Sequence, residues 1–215
     1  MTHLKVCCIA SIAEAELAVA HGAHALGLVS AMPSGPGVVD DATIREVAAW
    51  AHGKARTFLL TSRRDPPAIA EQLAALRPET VQLVDALADG AHRELRRLAP
   101  DVRIVQVIHV RSAADVDDAL RLAPEVDELL LDSGNPSLAV KELGGTGRTH
   151  DWALSARIVR ESPVPVWLAG GLRAENVAQA IATVQPHGLD VCSGVRRDGK
   201  LDRVRLQALA GAMRA

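Results

Sequence analysis

Short β-branched or leucine-rich runs alternate with longer alanine-rich stretches of helical period along the whole chain. The runs Leu4–Ile9, Ala25–Val29, Arg56–Leu60, Thr80–Leu83, Val102–Val110, Glu128–Leu131, Pro165–Ala169 and Leu189–Val191 read as eight strands. Between them, apolar residues recur at helical spacing: Ile69, Leu73 and Leu76; Val116, Ala119 and Leu120; Val177, Ile181 and Val184; Leu206, Leu209 and Met213. Each set is one apolar stripe, as a helix packed on a sheet requires. Ser112 with Asp115, and Asp40 or Asp41 ahead of Ile44, have the chemistry of helix N-caps, and Gly22, Gly53 and Pro100 fall where helices should end.

This alternation runs without a Gly/Ser-rich linker or a shift in composition, which predicts one domain over residues 1–215, an α/β fold built as a single parallel (β/α)8 TIM barrel. The rival is an open doubly wound sheet. Its dinucleotide-binding form carries a G-x-G-x-x-G turn after the first strand, where this chain has Cys7-Cys8-Ile9-Ala10-Ser11.

Composition narrows the function classes. Twenty-four Lys and Arg against 26 Asp and Glu give a net charge of -2 with no dense basic stretch, so a nucleic-acid partner is not expected. Aromatic stacking platforms are missing too, with no Tyr, one Phe and three Trp. No apolar run approaches the ~20 residues that span a bilayer, and no signal-peptide pattern precedes Leu4, so no membrane partner and a cytoplasmic location are expected. Three cysteines, an odd number, read as reduced thiols.

In such a barrel the chemistry sits at the C-terminal ends of the strands. Strand alternation puts Lys5, Cys7 and Ile9 on one face and Leu4, Val6 and Cys8 on the other. Cys7, one pleat from the Lys5 ammonium, is then either a base or nucleophile with a stabilised thiolate or a small buried hydrophobe. Asp132, first polar residue after Leu129-Leu130-Leu131, is either a general acid with a pKa raised by burial or a turn aspartate ahead of Ser133-Gly134-Asn135-Pro136. Glycine turns at Gly144-Gly145-Thr146-Gly147, Gly170-Gly171 and Ser193-Gly194 meet at one rim, where backbone N–H groups can hold a phosphate. Cys7, His109, Asp132 and Cys192 match no metal-ligand spacing, so no metal is expected. His21, His24 and His92 read as surface residues. Strands one and eight are neighbours in a closed barrel, which would bring Cys7 near Cys192.

These features resemble the phosphoribosylanthranilate isomerase family of tryptophan biosynthesis. The family's opening K-[IV]-C-G-I strand is read here as Lys5-Val6-Cys7-Cys8-Ile9, and its L-L-L-D strand end as Leu129-Leu130-Leu131-Asp132. The G-G-T-G-x-x-x-D-W loop runs from Gly144 to Trp152, L-A-G-G-L-x-x-x-N-V from Leu168 to Val177, and the D-V-S-S-G-V ending from Asp190 to Val195. The resemblance implies a cofactor-free aldose-ketose isomerase that carries out an Amadori rearrangement on a small phosphorylated sugar-amine, with Cys7 as general base and Asp132 as general acid. It implies Gly170, Gly171, Ser193 and Gly194 as the phosphate cradle, and Lys5, Gly144, Gly145 and Asp190 as further substrate contacts.

The chain departs from the family pattern in three places. After strand two the family's S-P-R becomes Ser34-Gly35-Pro36-Gly37-Val38, without the arginine. After strand four Q-L-H-G becomes Gln82-Leu83-Val84-Asp85, and the Gly after the catalytic Cys becomes Cys8. Arg63, Arg64 and Arg111 are the candidates to replace the lost cation. The alternative reading is a divergent barrel that binds a phosphorylated metabolite without catalysis, or acts on it as a lyase or epimerase.

Overall fold

In the computed structural model, which describes residues 2–33, 35–133 and 151–214, eight parallel strands close in the order in which the chain makes them. They are β1 His3–Val6, β2 Ala25–Val29, β3 Arg56–Thr61, β4 Thr80–Leu83, β5 Arg103–His109, β6 Glu128–Asp132, β7 Val166–Leu168 and β8 Gly188–Val191. Closure is made by β1 on β8, with Lys5 opposite Asp190 and Val6 opposite Val191. Helices α1 Ile12–Ala20, α2 Asp41–Ala51, α3 Pro66–Leu76, α4 Ala91–Leu98, α5 Ala113–Leu122, α6 Trp152–Glu161, α7 Val177–Val184 and α8 Arg203–Ala212 follow the strands in turn. A short hairpin, β9 Arg196–Arg197 and β10 Lys200–Leu201, precedes α8. No helix of the described residues is long and apolar enough to cross a membrane.

Period-two alternation divides the barrel residues between two cores. Leu4, Val6, Leu26, Leu28, Leu59, Val81, Leu83, Leu129, Leu131, Leu168 and Leu189 pack outward against the helices. Ala25, Val29, Phe58, Leu60, Val105, Val107, Leu130, Trp167 and Ala169 fill the interior. At the N-terminal end of the strands the interior closes on Glu128, 1% exposed, whose carboxylate accepts from Arg56 at 2.6 and 2.9 Å, from Arg103 at 3.0 Å and from the Trp167 indole. Burial opposes ionisation of Glu128, but the Arg56 bonds and charge, aided by Trp167 and Arg103, outweigh it and hold its pKa below the usual carboxylate value.

The helix starts follow the sequence. Asp40 accepts from the Thr43 N–H at 2.8 Å, and Ser112 and Asp115 form a reciprocal capping box. Asp65, ahead of Pro66 and Pro67, caps α3 in the same way, accepting from the Ala68 N–H at 3.1 Å.

Two expectations are corrected. His92 is 5% exposed rather than on the surface, because its Nε2 meets the side-chain oxygen of buried Gln106 at 3.0 Å and satisfies it. Strand alternation does not continue to Ile9. β1 ends at Val6, and Cys8 adopts φ 63°, a left-handed backbone that breaks the period. Cys8 therefore turns into the interior with Cys7, and Ile9 joins Leu4 and Val6 in the outer core.

Candidate active site

The C-terminal ends of the strands surround a cavity that opens to solvent. Cys7 from the end of β1, Asp132 from the end of β6, and Asp190 with Cys192 and Ser193 from β8 and its loop line it, together with Gly170 and Gly171 after β7. Val29, Met32, Leu60, Val84 and Val107 make an apolar wall on the side of β2 to β5, with Gln82 the amide among them.

Cys7 has room because β2 carries Gly27 beside it. A methyl group on Gly27 would lie 2.8 Å from Cys7 Sγ and 3.2 Å from Lys5 Nζ, so both side chains occupy the space that a larger residue there would fill. The Lys5 ammonium, fully buried, lies 2.8 Å from an Asp190 carboxylate oxygen and 5.2 Å from the centre of the Phe58 ring. Burial works against the ammonium, yet the charge of Asp190 prevails and the Lys5 pKa is raised, so the lysine is a fixed cation. Lys5 is not among the cavity-lining residues, and its charge is matched by Asp190. That places it behind Asp190, which does line the cavity, as a source of field.

Asp132 is 6% exposed. Burial first, then the negative charge of Asp190, push its pKa up to about 6, against the lowering effects of the Ser133 N–H and Lys5. The Ser133 N–H donates to Asp132 Oδ1 at 2.7 Å and fixes the carboxyl at the strand end. The group is thus half-protonated near pH 6 and still about one-tenth protonated at pH 7, a reserve of acid that an ordinary aspartate lacks.

On the rim, Gly171, Leu172 and Ser193 are shared between this cavity and an adjoining surface hollow lined by Gly194, Arg173 and Arg205. Gly194 packs so tightly on the Leu172 carbonyl that no side chain fits there, and Gly170 and Gly171 both have positive φ, 88° and 61°. Gly144, Gly145 and Ser34 lie outside the described residues.

Several sequence expectations are sorted by this geometry. None of Arg63, Arg64 or Arg111 lines the cavity: Arg63 donates to the Ala68 carbonyl, Arg64 to the Ala86 carbonyl, and Arg111 pairs with Asp115. The cysteine that meets Cys192 is Cys8, at 2.8 Å between sulfurs, rather than Cys7, because of the left-handed turn at Cys8. Arg196 was not anticipated. Its guanidinium donates to the Cys7 and Cys8 carbonyls and to Glu14, clamping the end of β1 from outside the cavity. The only hint in the sequence was an arginine just past the glycine turn after the last strand.

The N-(5'-phosphoribosyl)anthranilate (PRA) isomerase family model matches residues 4–211. The PRA isomerase of Haloferax volcanii is 36% identical, the match covering 93% of this chain and 86% of the relative, and that of Thermosynechococcus vestitus is 33% identical over 96% and 87%. Among solved structures, the Thermotoga maritima phosphoribosyl anthranilate isomerase superposes with a TM-score of 0.83 at 25% identity, covering 100% of this chain and 99% of that one. The Thermococcus kodakaraensis isomerase gives 0.81 at 28%, with the same coverage. With the barrel closed in the family's order and the matched stretch running from β1 into α8, the chain belongs to the PRA isomerase family.

Proposed function

We propose that this chain is a PRA isomerase of tryptophan biosynthesis: it opens the ribose ring of N-(5-phosphoribosyl)anthranilate and rearranges it to the 1-amino-1-deoxyribulose phosphate, with Asp132 as general acid and Cys7 as general base. The observation that carries the reading is that one cavity is lined by both a thiol, Cys7, and a carboxyl, Asp132, whose pKa is pushed up to about 6. Protonated Asp132 gives its proton to the furanose ring oxygen, and the C1–O bond breaks to leave an iminium. Cys7, as thiolate, takes the proton from C2, and the resulting enolamine tautomerises to the aminoketone. Acid and base come from β6 and β1, separated by β7 and β8 around the ring, so they approach one bound sugar from different sides.

The phosphate is assigned to the backbone at Gly170, Gly171, Ser193 and Gly194, where closely approached glycines leave N–H groups accessible to an anion. Gly144 and Gly145 are assigned to the same end on the resemblance alone. Asp190, an anion, suits a sugar hydroxyl rather than the phosphate, and it sets the charge on Lys5. The apolar wall of Val29, Met32, Leu60, Val84 and Val107 suits a flat aromatic amine. Among the described cavity residues there is no cation for the anthranilate carboxylate. Gln82, 3% exposed and with a side-chain oxygen lacking a partner, faces the same space and can accept from the amine N–H.

The test is loss of anthranilate-type fluorescence when purified protein receives PRA generated in situ. Rapid loss is expected, reduced at least about a hundredfold in Cys7→Ser, as removal of a general base should do. Tight binding of a phosphorylated product analogue with no turnover would favour the divergent, non-catalytic barrel instead.

A further inference from the structure

The chemistry above uses one of the three cysteines. The other two, Cys8 and Cys192, come from the ends of neighbouring strands, β1 and β8, whose ladder runs up to Val6 opposite Val191 and continues through the Cys7 N–H to the Val191 carbonyl at 2.8 Å. Their Sγ atoms lie 2.8 Å apart, and both line the cavity. A disulfide needs about 2.05 Å between sulfurs and residues on closely spaced backbones, so this pair is less than about 1 Å from bonding distance. Cys8 is 5% exposed, while Cys192 is half-buried and within reach of a small oxidant entering the cavity.

We propose that Cys8 and Cys192 form a reversible, hydroperoxide-driven disulfide that crosses the cavity wall between β1 and β8 and stops turnover. The pairing stands on the geometry alone, whereas its effect on turnover rests on the proposed isomerase. The asymmetry between the two sulfurs gives the order of events. Contact with Cys192, then with Cys7, and burial push the Cys8 thiol up, so Cys8 keeps its proton. The same contact and the Arg196 guanidinium hold Cys192 below the ordinary thiol value against burial.

The Cys192 thiolate attacks one oxygen of the hydroperoxide. The O–O bond breaks, the departing oxyanion takes a proton to become water or an alcohol, and Cys192 becomes a sulfenic acid. The Cys8 sulfur then attacks the Cys192 sulfur, its S–H proton joins the departing hydroxide as water, and the S–S bond forms. Two electrons pass from the two sulfurs to the peroxide.

The consequence for the site follows from position. Cys8 directly follows Cys7, and Cys192 directly precedes Ser193. The strand-two loop sits on Cys8 through Gly37, whose backbone approaches so closely that no side chain fits there, and Arg196 holds the Cys7 and Cys8 carbonyls. Movement of the sulfurs toward each other is therefore passed to the base on one side and the phosphate turn on the other.

The experiment treats the reduced full-length protein with hydrogen peroxide. It then counts free thiols in denaturant, measures the intact mass and maps the cross-linked peptides, with turnover followed in parallel before and after dithiothreitol. Expected are a fall from three thiols to one, loss of two hydrogens in mass, and at least a tenfold loss of turnover that the reductant restores. Cys7→Ser should go from two thiols to none. Cys8→Ser and Cys192→Ser should show no intramolecular cross-link. A cross-link that persists in Cys8→Ser, or a wild type that only gains oxygen, overturns the pairing. A cross-linked wild type with undiminished turnover overturns the closure of the site. The mass and thiol arms read the pairing whether or not the chain isomerises PRA.

Discussion

Replacing Asp132 by Asn separates catalysis from stability in opposite directions. The elevation of its pKa from 3.8 to about 6 corresponds to about 3 kcal/mol of destabilisation of the carboxylate form by burial and by Asp190. At pH 7 roughly one molecule in ten then carries the protonated acid, against fewer than about one in a thousand for a group at 3.8, a gain of about a hundredfold in the reactive form. Because the acid form is required, the fraction of Asp132 able to donate should fall up to tenfold per pH unit above about pH 6, an acid limb that Asp132→Asn should lack.

The linkage has the opposite consequence for stability. A carboxyl with a raised folded-state pKa binds more proton folded than unfolded between about 4 and 6, so stability falls as pH rises through that window and the cost is fully present at pH 7. Asp132→Asn removes the charge. It should cut kcat/KM by about a hundredfold or more while raising stability at pH 7 by up to about 3 kcal/mol, a Tm gain of up to about 10 °C. The gain should vanish at pH 4. Fluorescence turnover across pH 5–8 and thermal melts at both pH values are the assays. An Asn variant within tenfold of wild type, or one that melts no higher than wild type at pH 7, refutes the buried-acid argument.

Glu128→Gln, at the opposite end of the barrel, should lose about 3 kcal/mol in urea unfolding through the unpaired Arg56 and Arg103 and leave kcat nearly unchanged; a kcat effect above threefold would contradict that separation. Gly27→Ala should lower both stability, by about 1–3 kcal/mol, and turnover, since its methyl group enters the space of Cys7 and Lys5; an unchanged chevron midpoint and rate would refute the crowding. His3 stacks on His24 at 4.6 Å, and its pKa is lowered by burial, then by His187, His24 and Arg56. A depressed histidine contributes stability that is present above the unfolded pKa of about 6.5 and lost as pH falls through the folded value, so His3→Gln should lose less stability than wild type between pH 7 and 5 in urea melts.

The sequence by itself determined the fold class and which candidate site residues share one end of the barrel. Period-two runs alternating with helical stripes admit few arrangements, and a closed barrel brings every strand's C-terminal end to one rim, so Cys7, Asp132, Gly170 and Ser193 converge from distant parts of the chain. The caps at Asp40 and Ser112 were legible because they depend only on residues a few positions away. What the tertiary structure decided depends on through-space distance and on burial, which have no local signature. Register across the closing strands pairs Lys5 with Asp190 and sets the lysine behind that carboxylate. Burial beside Asp190 sets the proton on Asp132. A single left-handed residue reverses the expected facing of Cys8, and so decides which cysteine meets Cys192. His92 was misread for the same reason, since its partner, Gln106, belongs to another element and only packing brings the two together.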